Sequence, residues 1–360
     1  MRPDLKEKIE RIIGNNPDTD DQVVISQLEQ LIYEEDPRHQ IVRKTENITD
    51  LVEENLKYLR GGKRDDQYIY SGIGSLDNVI GGFRLGEYII VGGRPGMGKT
   101  QLLINLSLNM SMDVPLLYFS FDLSSFLLTN RFISSMSSIP ADRLLQHRLT
   151  NSQKQLLDLV EEEFSNHRIY INDSYKNSIP AFKDHCKKMI EEKGVKVIII
   201  DSLQTMGSAK YRRHERELEI SYISGVLKSI AKDYNVCVIA SSQLNRWTER
   251  RDDFEKIPRL SDLRDSGTIE QDADKVIFIY RPEYYKITED ERGNDVIGVT
   301  LLYIEKNNSG QLGIAKLMRD GEFTNLKSFD HYMDRFTFSP NALEGIKKGD
   351  KPKEIDPLPF

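Results

Sequence analysis

Residues 92–100, GGRPGMGKT, stand between the apolar run YIIV (88–91) and the amphipathic stretch QLLINLSLNM (101–110). No other stretch of this chain restricts its fold as strongly. A glycine-rich turn that leaves a buried strand and opens a helix gathers backbone N–H groups at a helix N-terminus, where anionic phosphates are held. Gly93, Gly98, Lys99 and Thr100 fit the spacing G-x-x-x-x-G-K-[ST], in which the lysine reaches the outer phosphate oxygens and the threonine hydroxyl ligates magnesium. The candidate phosphate-binding residues are therefore Gly93, Arg94, Pro95, Gly96, Met97, Gly98, Lys99 and Thr100. The bland alternative, a glycine-rich loop with a chance lysine, lacks a reason for the strand before it and the helix after it.

Further apolar runs recur between helical segments: PLLYFSF from 115, VKVIIID from 195, VCVIASSQ from 236, KVIFIY from 275 and VTLLYI from 299. Runs this apolar predict strands covered on both faces, and the helices between them predict parallel crossovers. The expectation is an α/β fold, a nucleotide-binding sheet with helices on both faces, ending in an antiparallel hairpin formed by the last strands (about 275–318). The P-loop strand and the PLLYFSF strand are expected to lie side by side. A length of 360 residues, 38% of them hydrophobic, allows one sizeable core plus an appendage. Residues 1–45 read as a small helical N-terminal region, with helices expected over 4–13 and 20–34. Residues 46–67 read as a linker helix and polar linker, with Asn47 as N-cap and Ile48, Val52, Leu56 and Leu59 on one stripe. The main domain is expected over 68–338, followed by a disordered tail over 339–360 in which Lys, Asp, Pro and Gly outnumber apolar residues.

Hydrolysis of a bound nucleotide needs a metal-holding acid and a group that orients water. Asp201 closes a buried strand, where a carboxylate can hold magnesium with Thr100. Asp122, after the PLLYFSF strand, is the candidate for positioning water, with a helix N-cap as its alternative role. Gln243, at the end of another strand, is a candidate sensor of the terminal phosphate. Two basic segments, AKYRRHER (209–216) with Arg212 and Arg213 and NRWTERR (245–251) with Arg246 and Arg250, suit nucleic-acid phosphates, and Trp247 could stack on a base. Their alternative role is that of solvated charged loops.

Cys186 and Cys237 have no clustered histidines at metal-ligand spacing, so a zinc site and a disulfide framework are both unexpected. No stretch approaches the roughly 18 apolar residues of a membrane span, and the N-terminus lacks a signal-peptide core. These features predict a cytoplasmic location without membrane attachment. The net charge of −7 excludes a uniformly basic surface but leaves local basic patches open.

The stretches GGRPGMGKT, LYFSFDLS, IIIDSLQTM, RLSDLRDSGTIEQDADKVIFIYRPEYY and IEKNNSGQLG arrive in the order and spacing of DnaB-type replicative helicases, which the chain resembles over roughly residues 46–338. The resemblance implies a RecA-like motor working as a hexameric ring, with ATP and Mg2+ as cofactors and single-stranded DNA as partner. By the same resemblance, Arg264, Asp265 and Gly267 belong to a loop tracking the DNA backbone, and Lys306 reaches across the subunit interface to the neighbour's ATP. A helicase loader is a further implied partner. Primase docking through an N-terminal collar is not expected, because only about 45 residues precede the linker helix.

Two departures stand out. Asp122 occupies a glutamate position of the family and is one methylene shorter; a displacement of about 1 Å can lower a rate by on the order of a hundredfold. Asn308 occupies the position of an arginine finger, whose contribution can exceed about a thousandfold. Arg319, on the partner strand of the same hairpin, is a candidate displaced finger. The competing readings are a catalytically weakened relative that regulates, loads or binds DNA, and a filament-forming recombinase. The long SDLRDSGTIEQDAD match argues against the latter.

Overall fold

The structure is a computed structural model that describes residues 3–14, 24, 27–28, 31, 45, 47–60, 67–174, 178–208, 211, 215–251, 256–263, 267–290, 293–320 and 324–329, with only the backbone for Pro3, Asp4, Leu5, Glu54, Tyr58, Leu59, Trp247 and Arg250. Its centre is a sheet of nine strands: β3 (Tyr88–Gly93), β4 (Leu116–Ser120), β5 (Ile169–Asn172), β6 (Val197–Asp201), β7 (Cys237–Gln243), β8 (Lys275–Tyr280), β9 (Val299–Asn307), β10 (Gly313–Arg319) and β11 (Leu326–Ser328). Two short strands, β1 (Tyr68–Ile69) and β2 (Phe83–Arg84), pair separately. The order across the sheet is β11-β10-β9-β8-β3-β7-β6-β4-β5.

From β8 to β5 all neighbours are parallel. β9, β10 and β11 add antiparallel strands, so the expected hairpin is present as β9–β10, with β11 beyond it at the edge. One expectation is corrected: β4 does not lie beside β3. β7 and β6 separate them, and the direct neighbours of β3 are β7 and β8. Strand order is set by crossovers that a run of apolar residues does not encode.

Alternation along each central strand feeds two cores, because successive side chains leave a strand on opposite faces. Ile89, Val91, Val197, Ile199 and Ile239 pack on one side with Leu102, Leu106, Leu128 and Phe132 from the helices Lys99–Ser111 and Ser125–Ser137. Tyr88, Ile90, Ile198, Ile200 and Val238 pack on the other with Phe182, Ile220, Ile223 and Leu227 from the helices Ile179–Lys193 and Arg216–Tyr234. Both faces are covered, which accounts for strands apolar at every position. Cys186 and Cys237 are buried as free thiols, one in each core.

In the N-terminal part, helix Pro3–Gly14 is present, whereas most of the helix expected over 20–34 lies outside the described residues. The helix Ile48–Arg60 begins where Asn47 Oδ1 accepts from Thr49 N at 2.9 Å. Three residues of its stripe are exposed: Ile48 by 71%, Val52 by 47% and Leu56 by 39%. The stretch 330–360, including the expected tail, lies outside the described residues. No described helix is long and apolar enough to cross a membrane.

β3 and β8 approach so closely that a Cβ on Gly92 would sit 2.5 Å from the ring of fully buried Phe278, its register partner. Gly92→Ala is therefore expected to destabilise the protein by about 1–3 kcal/mol in chemical denaturation. Gly225→Ala, with open space around the new Cβ in helix Arg216–Tyr234, should stabilise by up to about 1 kcal/mol.

Candidate nucleotide site and the segments around it

At the end of β3 the chain turns through residues 94–98 into helix Lys99–Ser111. Gly96 (φ 79°) and Gly98 (φ 99°) hold left-handed conformations that other residues adopt at a cost. Gly93 is required for a different reason: a Cβ there would lie 2.6 Å from Ile279 Cγ2. Lys99 folds over the loop, its Nζ donating to Gly93 O at 2.8 Å and Arg94 O at 3.2 Å. Burial pulls the Lys99 ammonium down to about 8; the Asp201 carboxylate opposes that fall and the Arg94 charge adds to it. An anionic ligand would meet a poorly hydrated cation here, which strengthens their attraction.

Asp201 ends β6 and is only 4% exposed. Its Oδ2 accepts from Thr100 Oγ1 at 2.7 Å and from Tyr118 OH at 3.2 Å, and its Oδ1 accepts from Ser241 Oγ at 2.6 Å. Burial and the adjacent carboxylate push the Tyr118 phenol well up, so it remains a donor. Three hydroxyls thus hold one buried carboxylate against the first turn of the phosphate-loop helix. A carboxylate and a hydroxyl, both hard oxygen donors, fit magnesium, which Thr100 and Asp201 could hold.

Asp122 follows β4 and is exposed; its Oδ2 accepts from Ser202 Oγ at 3.1 Å, directly after Asp201. The N-cap of helix Ser125–Ser137 is Ser124, whose hydroxyl accepts from Leu127 N, so Asp122 is not the cap. Although β4 is three strands away from β3, the parallel register lifts Asp122 to the same edge. Gln243 is the register partner of Gly93, and its N–H donates to Gln204 Oε1 at 2.9 Å.

These residues enclose an open cleft of about 500 Å3, lined by Pro95, Gly96, Gly98, Lys99, Thr100, Asp122, Asp201 and Gln243. The volume suits a nucleotide-sized ligand. Three of the eight candidate phosphate-binding residues are not among the lining residues: Gly93 lies behind the loop against Ile279, Met97 is 1% exposed and packs in the core, and the buried Arg94 side chain turns away from the cleft to Leu244 and Glu249. Arg131, Gln101 and Thr324 also line the cleft. Sequence reasoning missed them because Arg131 sits mid-helix and Thr324 comes from the far end of the domain. The TNR interruption of an apolar helix, residues 129–131, was the one available signal.

The other candidates lie away from this cleft. Lys306 Nζ donates to Glu270 O at 2.7 Å and Gln271 O at 3.3 Å, at the C-terminal end of helix Gly267–Asp272. Asn308 rests on Asp274: its N–H donates to Asp274 O at 2.9 Å, and the same turn is anchored by Ser309 Oγ donating to Glu87 Oε1 at 2.7 Å. Arg319 donates to Glu283 Oε1 at 2.7 Å and is 15% exposed, so the candidate displaced finger is engaged within its own chain. Gly267 is the first residue of a helix, and Arg246 is exposed. Arg212, Arg213, Arg264 and Asp265 lie outside the described residues, as does the side chain of Arg250.

A parallel sheet with a phosphate loop, a hydroxyl and a buried carboxylate at one edge defines a P-loop nucleotide-binding protein of RecA-like fold. Residues 69–328 match the family described as the DnaB-like helicase C terminal domain, and the chain belongs to that family. It is 33% identical over 303 residues to the replicative DNA helicase DnaC of Bacillus subtilis, covering 82% of this chain and 65% of that protein. Among solved structures, an isolated ATPase domain superposes with a TM-score of 0.71 at 28% identity, over 80% of this chain and all of that one. A DnaB-like replicative helicase, solved in a study of its interactions with primase, gives 0.68 at 27% identity over 90% of this chain and 75% of that one. The match spans 54 to 65% of the length of these curated relatives.

Asp201→Asn keeps the size of the side chain and removes its charge. Nucleotide affinity measured by calorimetry with Mg2+ should fall at least about tenfold, as loss of a metal-site group commonly does. With a chelator in place of the metal it should change little, and an equal loss in both conditions would exclude a metal role.

Proposed function

We propose that the chain hydrolyses ATP and uses the energy to translocate on single-stranded DNA as a ring of copies, six by family resemblance, unwinding duplex in replication. The observation that carries this reading is the Lys99–Thr100–Asp201 constellation at the cleft edge, with Gln243 facing it, in a member of the DnaB-like family. Lys99 leaves the carbonyls of Gly93 and Arg94 to hold the outer phosphates, and Thr100 with Asp201 holds magnesium. Mg2+ supplies charge neutralisation on the phosphoryl oxygens. Asp122, steadied by Ser202, orients the attacking water, and Gln243 senses the terminal phosphate. Lys306 of the neighbouring copy completes the site. Arg264, with Arg212, Arg213, Arg246 and Arg250, supplies the sequence-independent cation–phosphate contacts to the strand, and Asp265 and Gly267 belong with Arg264 to the DNA-tracking segment. A helicase loader is the partner that would place the ring on DNA.

ATP turnover should rise when single-stranded DNA is added, and Lys99→Ala should abolish turnover in both conditions. A wild-type rate that saturating DNA leaves unchanged contradicts the motor reading.

The Asn308 position carries no charge and is docked on its own Asp274, which favours a slow engine. The double change Asp122→Glu with Asn308→Arg is expected to raise DNA-stimulated turnover at least about tenfold, since a trans arginine contributes far more where it is used. An unchanged rate in that variant would place the trans cation elsewhere.

A further inference from the structure

Arg94 is the second residue of the phosphate-loop motif after Gly93, yet its side chain is spent on another segment. It is 8% exposed; Nη1 donates to Leu244 O at 2.8 Å, and Nε and Nη2 both donate to Glu249 Oε1, at 2.9 and 2.6 Å. A planar guanidinium gripping a carboxylate oxygen and a carbonyl together fixes direction as well as distance, which a lysine cannot reproduce. Glu249 lies in the short 3-10 helix Arg246–Arg250, which follows β7 and carries the exposed Arg246. This helix is stapled to the next segment: Asn245 N donates to Asp262 O at 2.8 Å, Leu244 bridges Leu263, and Arg251 Nη1 donates to Asp262 Oδ2 at 3.0 Å. Residues 244–251 and 257–263 therefore form one block, and Arg94 is where that block grips the phosphate loop.

The backbone of Arg94 faces the other way. Its carbonyl accepts from Lys99 Nζ, the donor that a phosphate would draw off. Occupation of the loop thus changes what holds residue 94 on its main-chain side, while its side chain is rigidly tied to Glu249. In the reverse direction, an anionic strand landing on the basic block brings negative charge to Glu249, which is 41% exposed, and perturbs its hold on Arg94.

We propose that Arg94 and Glu249 are the link through which nucleotide at the phosphate loop and single-stranded nucleic acid at the 244–251 block change each other's affinity, Arg94 being a positioning residue and not a phosphate ligand. The identity of the second ligand rests on the proposed function. Linkage makes the effect reciprocal, with couplings in proteins typically on the order of 5- to 150-fold.

The test uses the full chain, a fluorescent oligothymidylate, and Mg2+ with a non-hydrolysable ATP analogue. In the wild type the analogue should shift oligonucleotide affinity within that 5- to 150-fold range, roughly. Glu249→Gln keeps an acceptor but drops the charge. It should bind each ligand alone much as the wild type does and lose most of the shift, and Arg94→Lys should also lose it. Hydrogen exchange without DNA gives an independent reading: the analogue should slow amide exchange over 244–251 in the wild type and not in Glu249→Gln. A full shift or full protection retained in both variants overturns the link, as does wild-type oligonucleotide binding that ignores the analogue. Protection that depends on Glu249, in a protein that binds no oligonucleotide, overturns the DNA reading and supports the link. Absence of both binding and protection overturns both.

Discussion

The arrangement depends on parallel register. Strands that run the same way end at one edge, so residues far apart in the chain arrive together without any local signal. Gly93 pairs with Gln243 and Ser120 with Asp201 across that edge. Asp201 then receives hydroxyls from the phosphate-loop helix, from β4 and from β7, which ties three elements to one buried carboxylate. A buried charge is tolerated when its lone pairs are met by donors. Here the donors also fix where a cation could sit.

The same economy explains the close packing behind the loop. Gly92 and Gly93 lack side chains because β8 places Phe278 and Ile279 there, and the loop has to stay near the sheet for Lys99 to lie over its carbonyls. Burial that lowers the Lys99 ammonium is the electrostatic consequence. Loop residues that point away from the cleft are not idle: Met97 anchors the loop in the core, and Arg94 anchors it to the segment after β7. The cleft wall and the contact with that segment are therefore two faces of one short turn.

Much of this was legible from sequence because strands covered on both faces read as unbroken apolar runs, and the phosphate loop carries its own spacing. The six runs expected as strands are strands, and Lys99, Thr100, Asp122, Asp201 and Gln243 do converge on one cleft. Strand order was less legible: the expectation that β4 adjoins β3 failed, since crossover choice lies in packing among helices. β5, with four half-buried residues at an edge, lacks the apolar density that marked the others. The outward turn of Arg94 was hidden as well, because nothing in GGRPGMGKT distinguishes a phosphate ligand from a structural arginine until Glu249, 155 positions away, is seen beside it. Arg131 and Thr324 belong to the same class of long-range placement.

What distinguishes the hairpin β9–β10 is that its turn is fastened to its own chain through Asp274 and Glu87, while Lys306 caps the helix Gly267–Asp272. None of these groups lines the cleft of the same copy, so if Lys306 completes a nucleotide site, as proposed above, that site belongs to a second copy. Sedimentation velocity of the purified chain with Mg2+, a non-hydrolysable ATP analogue and an oligonucleotide tests this requirement most directly. The expected result is a closed assembly of several copies that depends on Lys99; a species that stays monomeric with all three ligands present would contradict it.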